Sequence, residues 1–117
     1  MSVLQPIDIH LDAEDSDDDF FNLGFEFDRA LGVKPDYLCL CRDFYEAPEF
    51  LYIEAEDQIF GFYTQKASFT IERCILTIRL HDQQVFHWNQ AQQVQIALDP
   101  KQLEQVRDCL VCMFDFT

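Results

Sequence analysis

Asp15, Asp17, Asp19 and Glu26 fall on positions 1, 3, 5 and 12 of a twelve-residue calcium loop. Oxygen ligands at that spacing suit a hard divalent cation. Position 6 of the loop is Phe20, where a glycine normally makes the sharp left-handed turn. Position 8, normally aliphatic, is Asn22, and the flanks read as strands rather than helices. The run "EDSDDD" from Glu14 to Asp19 is therefore read first as a solvated acidic loop, idle or used in binding, and only then as a weak cation site. No metal and no cofactor are expected.

Five cysteines, Cys39, Cys41, Cys74, Cys109 and Cys112, form the second candidate set. Cys39 and Cys41 share a strand face, and Cys109 and Cys112 share a helix face, so four thiolates would surround zinc if that helix packed over that strand. Zinc knuckles place Cys-x-x-Cys in tight turns with Gly or Pro nearby, and neither pair has that setting. Buried free thiols are the plainer expectation. His10, His81 and His87 are scattered among strand polar residues. No Gly-x-Ser-x-Gly elbow occurs, and three glycines leave no phosphate-cradling loop. Cys74 has no nucleophile motif, and Glu54 and Glu56 read as solvent-facing acids. The chain is expected not to be an enzyme.

Charge points instead to binding. The 117 residues carry a net charge of −14. Residues 1–57 hold 16 acids and 3 bases, while residues 58–117 hold 6 acids and 5 bases. One half of the chain thus sets up a strong negative field. Bare nucleic acid and anionic membrane would be repelled, and a basic protein or a cation would be attracted. Interfaces join aromatic anchors to a charged rim. Phe21, Phe60 and Tyr63 are the expected anchors, with Glu14, Asp15, Asp17, Asp18, Asp19, Glu54, Glu56 and Asp57 supplying field and rim. The bland reading of Phe20, Phe25, Phe27 and Phe62 is core.

The elements that must position these residues follow from periodicity. "VLQPIDIHLD" alternates, with Val3, Ile7, Ile9 and Leu11 on one side, and Pro6 marks an edge strand. "FFNLGFEFD" resumes a strand with Phe25 and Phe27 inward. "YLCLCRDF" is apolar on both faces and suits a central strand. "FLYIEAED" turns Leu51, Ile53 and Ala55 inward and Tyr52, Glu54 and Glu56 outward. "QIFGFYTQK" is interrupted by Gly61 and reads as a loop or bulge. "ASFTIERCILTIRLHD" gives two strands broken near Arg73, "QQVFHWN" an edge segment or loop, and "QVQIALD" a further strand. The period then changes to helical. Asp99 is expected as N-cap, Pro100 at the first helical position and Gln102 in a capping box. Leu103, Val106, Leu110 and Met113 form the apolar stripe, and Lys101, Glu104, Gln105 and Asp108 the wet face. The expectation is one α+β domain over residues 1–117: a curved antiparallel sheet of about six to seven strands covered by one C-terminal helix. The start of the chain shows no secretory signal and no window reaches membrane-span length, so a cytoplasmic protein with reduced thiols is expected.

The stretches "LYIEAEDQIFGFYTQKASFTIERCILTIRL" and "VQIALDPKQLEQVRDCLVCMF" resemble the Immunity protein 10 family, small bacterial antitoxins of polymorphic-toxin systems. The shared features are an acidic strand leading into a glycine-containing aromatic turn, paired strands ending in alternating aliphatics, and a last strand running into a closing amphipathic helix. The resemblance spans residues 37–114. It departs from the family where two adjacent glycines are common and only Gly61 stands here. It implies a non-enzymatic immunity protein that binds a cognate toxin domain inside the producing cell. With the charge, it implies a basic toxin such as a nuclease. The alternatives are a small acidic secretion chaperone that cradles an effector segment, or a metal-binding or redox module.

Overall fold

The computed structural model describes residues 3–12, 20–28, 30, 32 and 35–116. Nine strands and one helix follow in chain order among these residues: β1 (Val3–Leu4), β2 (Asp8–Asp12), β3 (Phe20–Glu26), β4 (Tyr37–Asp43), β5 (Leu51–Ala55), β6 (Asp57–Thr64), β7 (Ala67–Glu72), β8 (Ile75–Leu80), β9 (Gln93–Ala97) and α1 (Leu103–Met113). The fold is α+β. Its strands divide between a five-stranded sheet, β2-β3-β4-β5-β6, and a four-stranded sheet, β1-β9-β8-β7. Two sheets replace the one curved sheet expected from the sequence. β1 also runs parallel to β9, where an antiparallel sheet was expected; every other pair is antiparallel.

The division begins at Pro6. A proline has no N–H for a ladder, and "VLQPIDIHLD" breaks there into β1 and β2, one at an edge of each sheet. Ile7, expected inward, is 64% exposed because it lies in the crossing between sheets. Both pieces keep the edge position that the proline signalled. "YLCLCRDF" supplies β4 at the centre of the larger sheet. The break near Arg73 is a two-residue hairpin turn. Arg73 and Cys74 have φ of 52° and 62°, the paired positive values that suit the twist of adjacent strands. "QIFGFYTQK" departs from expectation. It continues as β6, and the irregularity survives as a shift in the β5–β6 register between Ile53 and Ala55.

Alternation decides which side chains fill the core. Leu23, Phe25, Leu38, Leu40, Leu51 and Ile53 come from the larger sheet, and Leu76, Ile78 and Ile96 from the smaller. Val106, Cys109, Leu110 and Met113 join them from α1. Each fully buried side chain of this size contributes about 1.5–3 kcal/mol. The helix starts a turn later than Asp99 and Pro100 suggest. Asp99 closes a preceding turn, its carboxylate accepting from the Lys101 amide at 3.0 Å and its carbonyl from the Gln102 amide at 2.9 Å. Gln102 does not reach back to form a capping box. Its amide nitrogen lies 3.5 Å from the Ile9 carbonyl, joining the helix start to β2.

Arg42 is the exception in this apolar interior. It is 1% exposed and faces inward from β4. Its guanidinium donates to the Met113 carbonyl at 2.7 Å and the Pro48 carbonyl at 2.8 Å. The Phe44 and Phe116 rings flank it at 4.5 and 4.7 Å. Burial lowers its pKa, and Asp115 acts in the opposite direction. The orphan carbonyl at the end of α1 is thereby tied to the central strand. No helix among the described residues is long and apolar enough to cross a membrane.

Candidate partner-binding face

The side of β2–β6 away from α1 is polar and carries no cover among the described elements. Register lines up its side chains in rows. Asp8 stands across from Glu26, and Glu26 from Tyr37. His10, Gly24, Cys39 and Glu54 form the next row. Asn22, Cys41, Tyr52 and Tyr63 form the third. Arg42 is the only Lys or Arg among the residues of these five strands, and it faces the core. Among the residues of these strands the face therefore carries acids with no Lys or Arg, and His10 is its one basic side chain.

Glu54 organises its centre. One carboxylate oxygen accepts from the Tyr37 hydroxyl and the other from the Tyr52 hydroxyl, each at 2.6 Å. Such charge-assisted bonds are short and strong. Both phenols titrate well above the usual tyrosine range: for Tyr37 burial is the larger cause and the bond to Glu54 the next, while for Tyr52 the bond to Glu54 leads. Tyr63 leans on Tyr52 with ring centroids 5.0 Å apart, and Phe50 meets Tyr63 edge-on at 6.1 Å. Gly61 makes this arrangement possible. A Cβ there would overlap the Tyr52 hydroxyl and lie 2.7 Å from its ring carbon Cζ. Only a backbone without a side chain admits the ring this close.

The residues expected to bind a partner are distributed differently from the sequence picture. Glu14, Asp15, Asp17, Asp18 and Asp19 lie outside the described residues, in the segment that joins β2 to β3. Glu54 and Tyr63 lie together on the open face, and Tyr63 is 57% exposed. Phe21 and Phe60 do not join them. Phe21 turns to the core side of β3 and packs edge-on against Phe44 at 6.1 Å. Phe60, three residues before Tyr63, stacks on the His87 ring at 3.5 Å. Glu56 belongs to that second cluster, accepting a bond from His87 Nδ1 at 2.9 Å. Asp57 is exposed and accepts from the Ile59 amide at 3.2 Å. The assumed pairing of Phe60 with Tyr63 on one surface is thus corrected by strand parity. Phe20, read as core, is 37% exposed, whereas Phe25 and Phe27 are buried and Phe62 packs against the core.

Of the calcium pattern, Asp15, Asp17 and Asp19 lie outside the described residues, and Glu26, position 12, lies beside His10, whose Nε2 is 3.4 Å from Glu26 and 3.6 Å from Asp8. This trio is exposed, and such exposed groups commonly form plain ion pairs. The four-cysteine set is not assembled. Cys39 and Cys41 lie on the open face, while α1 covers the opposite side of β4, with Cys109 buried against Met113 at 3.5 Å and Cys112 exposed. Burial, with Glu54 and Cys41 nearby, pushes the Cys39 thiol up to about 11. Burial likewise pushes Cys109 up to about 11. Both therefore stay protonated at neutral pH and are poor nucleophiles and ligands.

No family model, no curated protein and no solved structure matches this chain. Its candidate site rests on geometry alone. Sequence reasoning passed over Tyr37 and Tyr52. Alternation in "YLCLC" and "LYIEA" places both outward, but nothing local shows that Tyr37 and Glu54, 17 residues apart, converge.

Proposed function

We propose that this chain is an immunity-type binding protein that neutralises a basic toxin domain, using the open face of the five-stranded sheet. The observation that supports it most is the Glu54 centre. A carboxylate is held in place by two tyrosines, next to an exposed ring at Tyr63, on a face to which the five strands contribute no Lys or Arg. Fixed negative charge speeds encounter with a cationic partner, and rigid aromatic side chains slow its release. A nuclease suits this chemistry, because its cationic groups are set to hold phosphates and carboxylates can stand in for them. The reading rests on this geometry and charge, since no family model matches the chain to support the resemblance noted in its sequence.

The test starts from the genes adjacent to the one for this chain: a basic toxin domain encoded there is co-expressed with it. Growth arrested by the toxin alone should be restored by the chain, and Glu54→Lys combined with Glu26→Lys should abolish the rescue. Absence of rescue by a well-expressed wild-type chain sinks the immunity reading. Rescue that survives both charge reversals moves the interface off this face.

A further inference from the structure

We infer that the Tyr52–Tyr63–Glu54 corner of the open face is a receptor for an arginine side chain of the partner, an inference that deepens the binding role proposed above. Three observations carry it. First, Glu54 spends one lone pair of each oxygen on a tyrosine hydroxyl, at 2.6 Å in each case. A carboxylate has about four lone-pair sites, so about two remain for a donor arriving from solvent. Second, Tyr63 offers a ring that is 57% exposed, buttressed by Tyr52 at 5.0 Å and Phe50 at 6.1 Å. An aromatic surface beside a fixed carboxylate favours a planar cation, which stacks on the ring while its N–H groups reach the oxygens. Third, the five strands place no Lys or Arg on this face, since Arg42 is turned inward, and His10 is engaged with Asp8 and Glu26 rather than with Glu54.

The chain treats its own guanidinium in a related way. Arg42 lies between the Phe44 and Phe116 rings at 4.5 and 4.7 Å and donates to two carbonyl oxygens. The open corner presents the same two kinds of group, ring and oxygen acceptor. A lysine ammonium would feel the general field equally, but it cannot stack and donate in a fork. Preference for arginine over lysine therefore separates a local receptor from the diffuse charge of the molecule.

The experiment is a nuclear magnetic resonance titration of the full chain with capped Gly-Arg-Gly, run beside capped Gly-Lys-Gly. Saturable shifts at the Tyr63 ring and the Glu54 amide are expected with the arginine peptide, and binding weaker by about fivefold with the lysine peptide. Tyr63→Ala and Glu54→Gln should each weaken arginine binding by about fivefold or more, whereas Glu104→Gln on the exposed side of α1 should change nothing. Tyr63→Ala removes an exposed ring and so decides the matter even if Glu54→Gln perturbs folding. Equal response to both peptides, shifts spread evenly over the acidic residues, or an unchanged Tyr63→Ala titration would overturn the inference. Toxin neutralisation with no arginine preference would remove this inference while leaving the immunity reading intact.

Discussion

The two sheets bury similar aliphatic faces yet present opposite outer surfaces. On the smaller sheet the outward polar groups satisfy one another. Arg79 donates to Gln93 at 2.9 Å, Gln95 approaches Thr77 at 3.4 Å, and Ser68 meets His81 at 2.7 Å. The charged groups of its strands, Glu72 and Arg79, are of opposite sign. On the larger sheet Asp8, Glu26 and Glu54 have only His10 and tyrosine hydroxyls as partners in the bonds described above. One surface is a balanced, solvated exterior. The other holds acidic groups in fixed positions with no Lys or Arg from its own strands on the same side, at a cost in self-repulsion.

The largest effect should show what the sheets share. Ile53→Ala in the larger sheet and Ile78→Ala in the smaller both empty fully buried positions. Each should cost about 2–5 kcal/mol, read as a lower midpoint in a single urea transition. Two separate transitions would mean that the sheets melt independently, and the contrast between their outer faces would then belong to two folding units.

A smaller effect should distinguish two glycines of the open face. Gly61→Ala forces the Tyr52 ring away from Glu54 and should cost about 1–3 kcal/mol. Gly24→Ala meets only an ordinary contact, His10 Cβ at 3.8 Å, and should stay within about 1 kcal/mol of the wild type. Thermal melts of the two variants test the claim that the backbone gap at Gly61 exists for the tyrosine. Equal costs would refute it.

The smallest effect concerns pH. Tyr37 and Tyr52 ionise above the ordinary tyrosine value of 10.0. A folded-state pKa raised in this way contributes stability that is present below pH 10.0 and lost as pH rises through the folded values. Stability of the wild type should therefore decline in alkali. Glu54→Gln removes the anion that disfavours tyrosinate, so its stability should decline less steeply. Tyrosinate absorbance during alkaline titration follows the same groups. Superimposable titrations of wild type and variant would show that Glu54 does not hold the two phenols.

Much of the fold was legible from local pattern. Leu51, Ile53 and Ala55 turn inward as their alternation says, and so do Leu76, Ile78 and Leu80. Val106, Leu110 and Met113 form the buried stripe of α1 that helical spacing indicates. Less of the site was legible. Gly61 reads as an interruption, because a glycine in a strand has the same signature whether it breaks the strand or makes room for a neighbour's ring. The helix start misled because Asp99 and Pro100 suit a turn as well as a cap. Phe60 and Tyr63 looked like one aromatic patch, since closeness in sequence says nothing about parity once a strand is extended.

By itself the sequence determined the strand-rich α+β class, the inward residues of most elements, the break near Arg73 and the lopsided charge. Those properties are local or additive, so they survive without knowledge of neighbours. Only the tertiary structure decided that the strands form two sheets, that β1 joins β9 in parallel, and that Tyr37, Tyr52 and Glu54 meet while Phe60 faces away. These depend on register between distant segments, and a one-residue shift in register sends a side chain to the other side of the sheet.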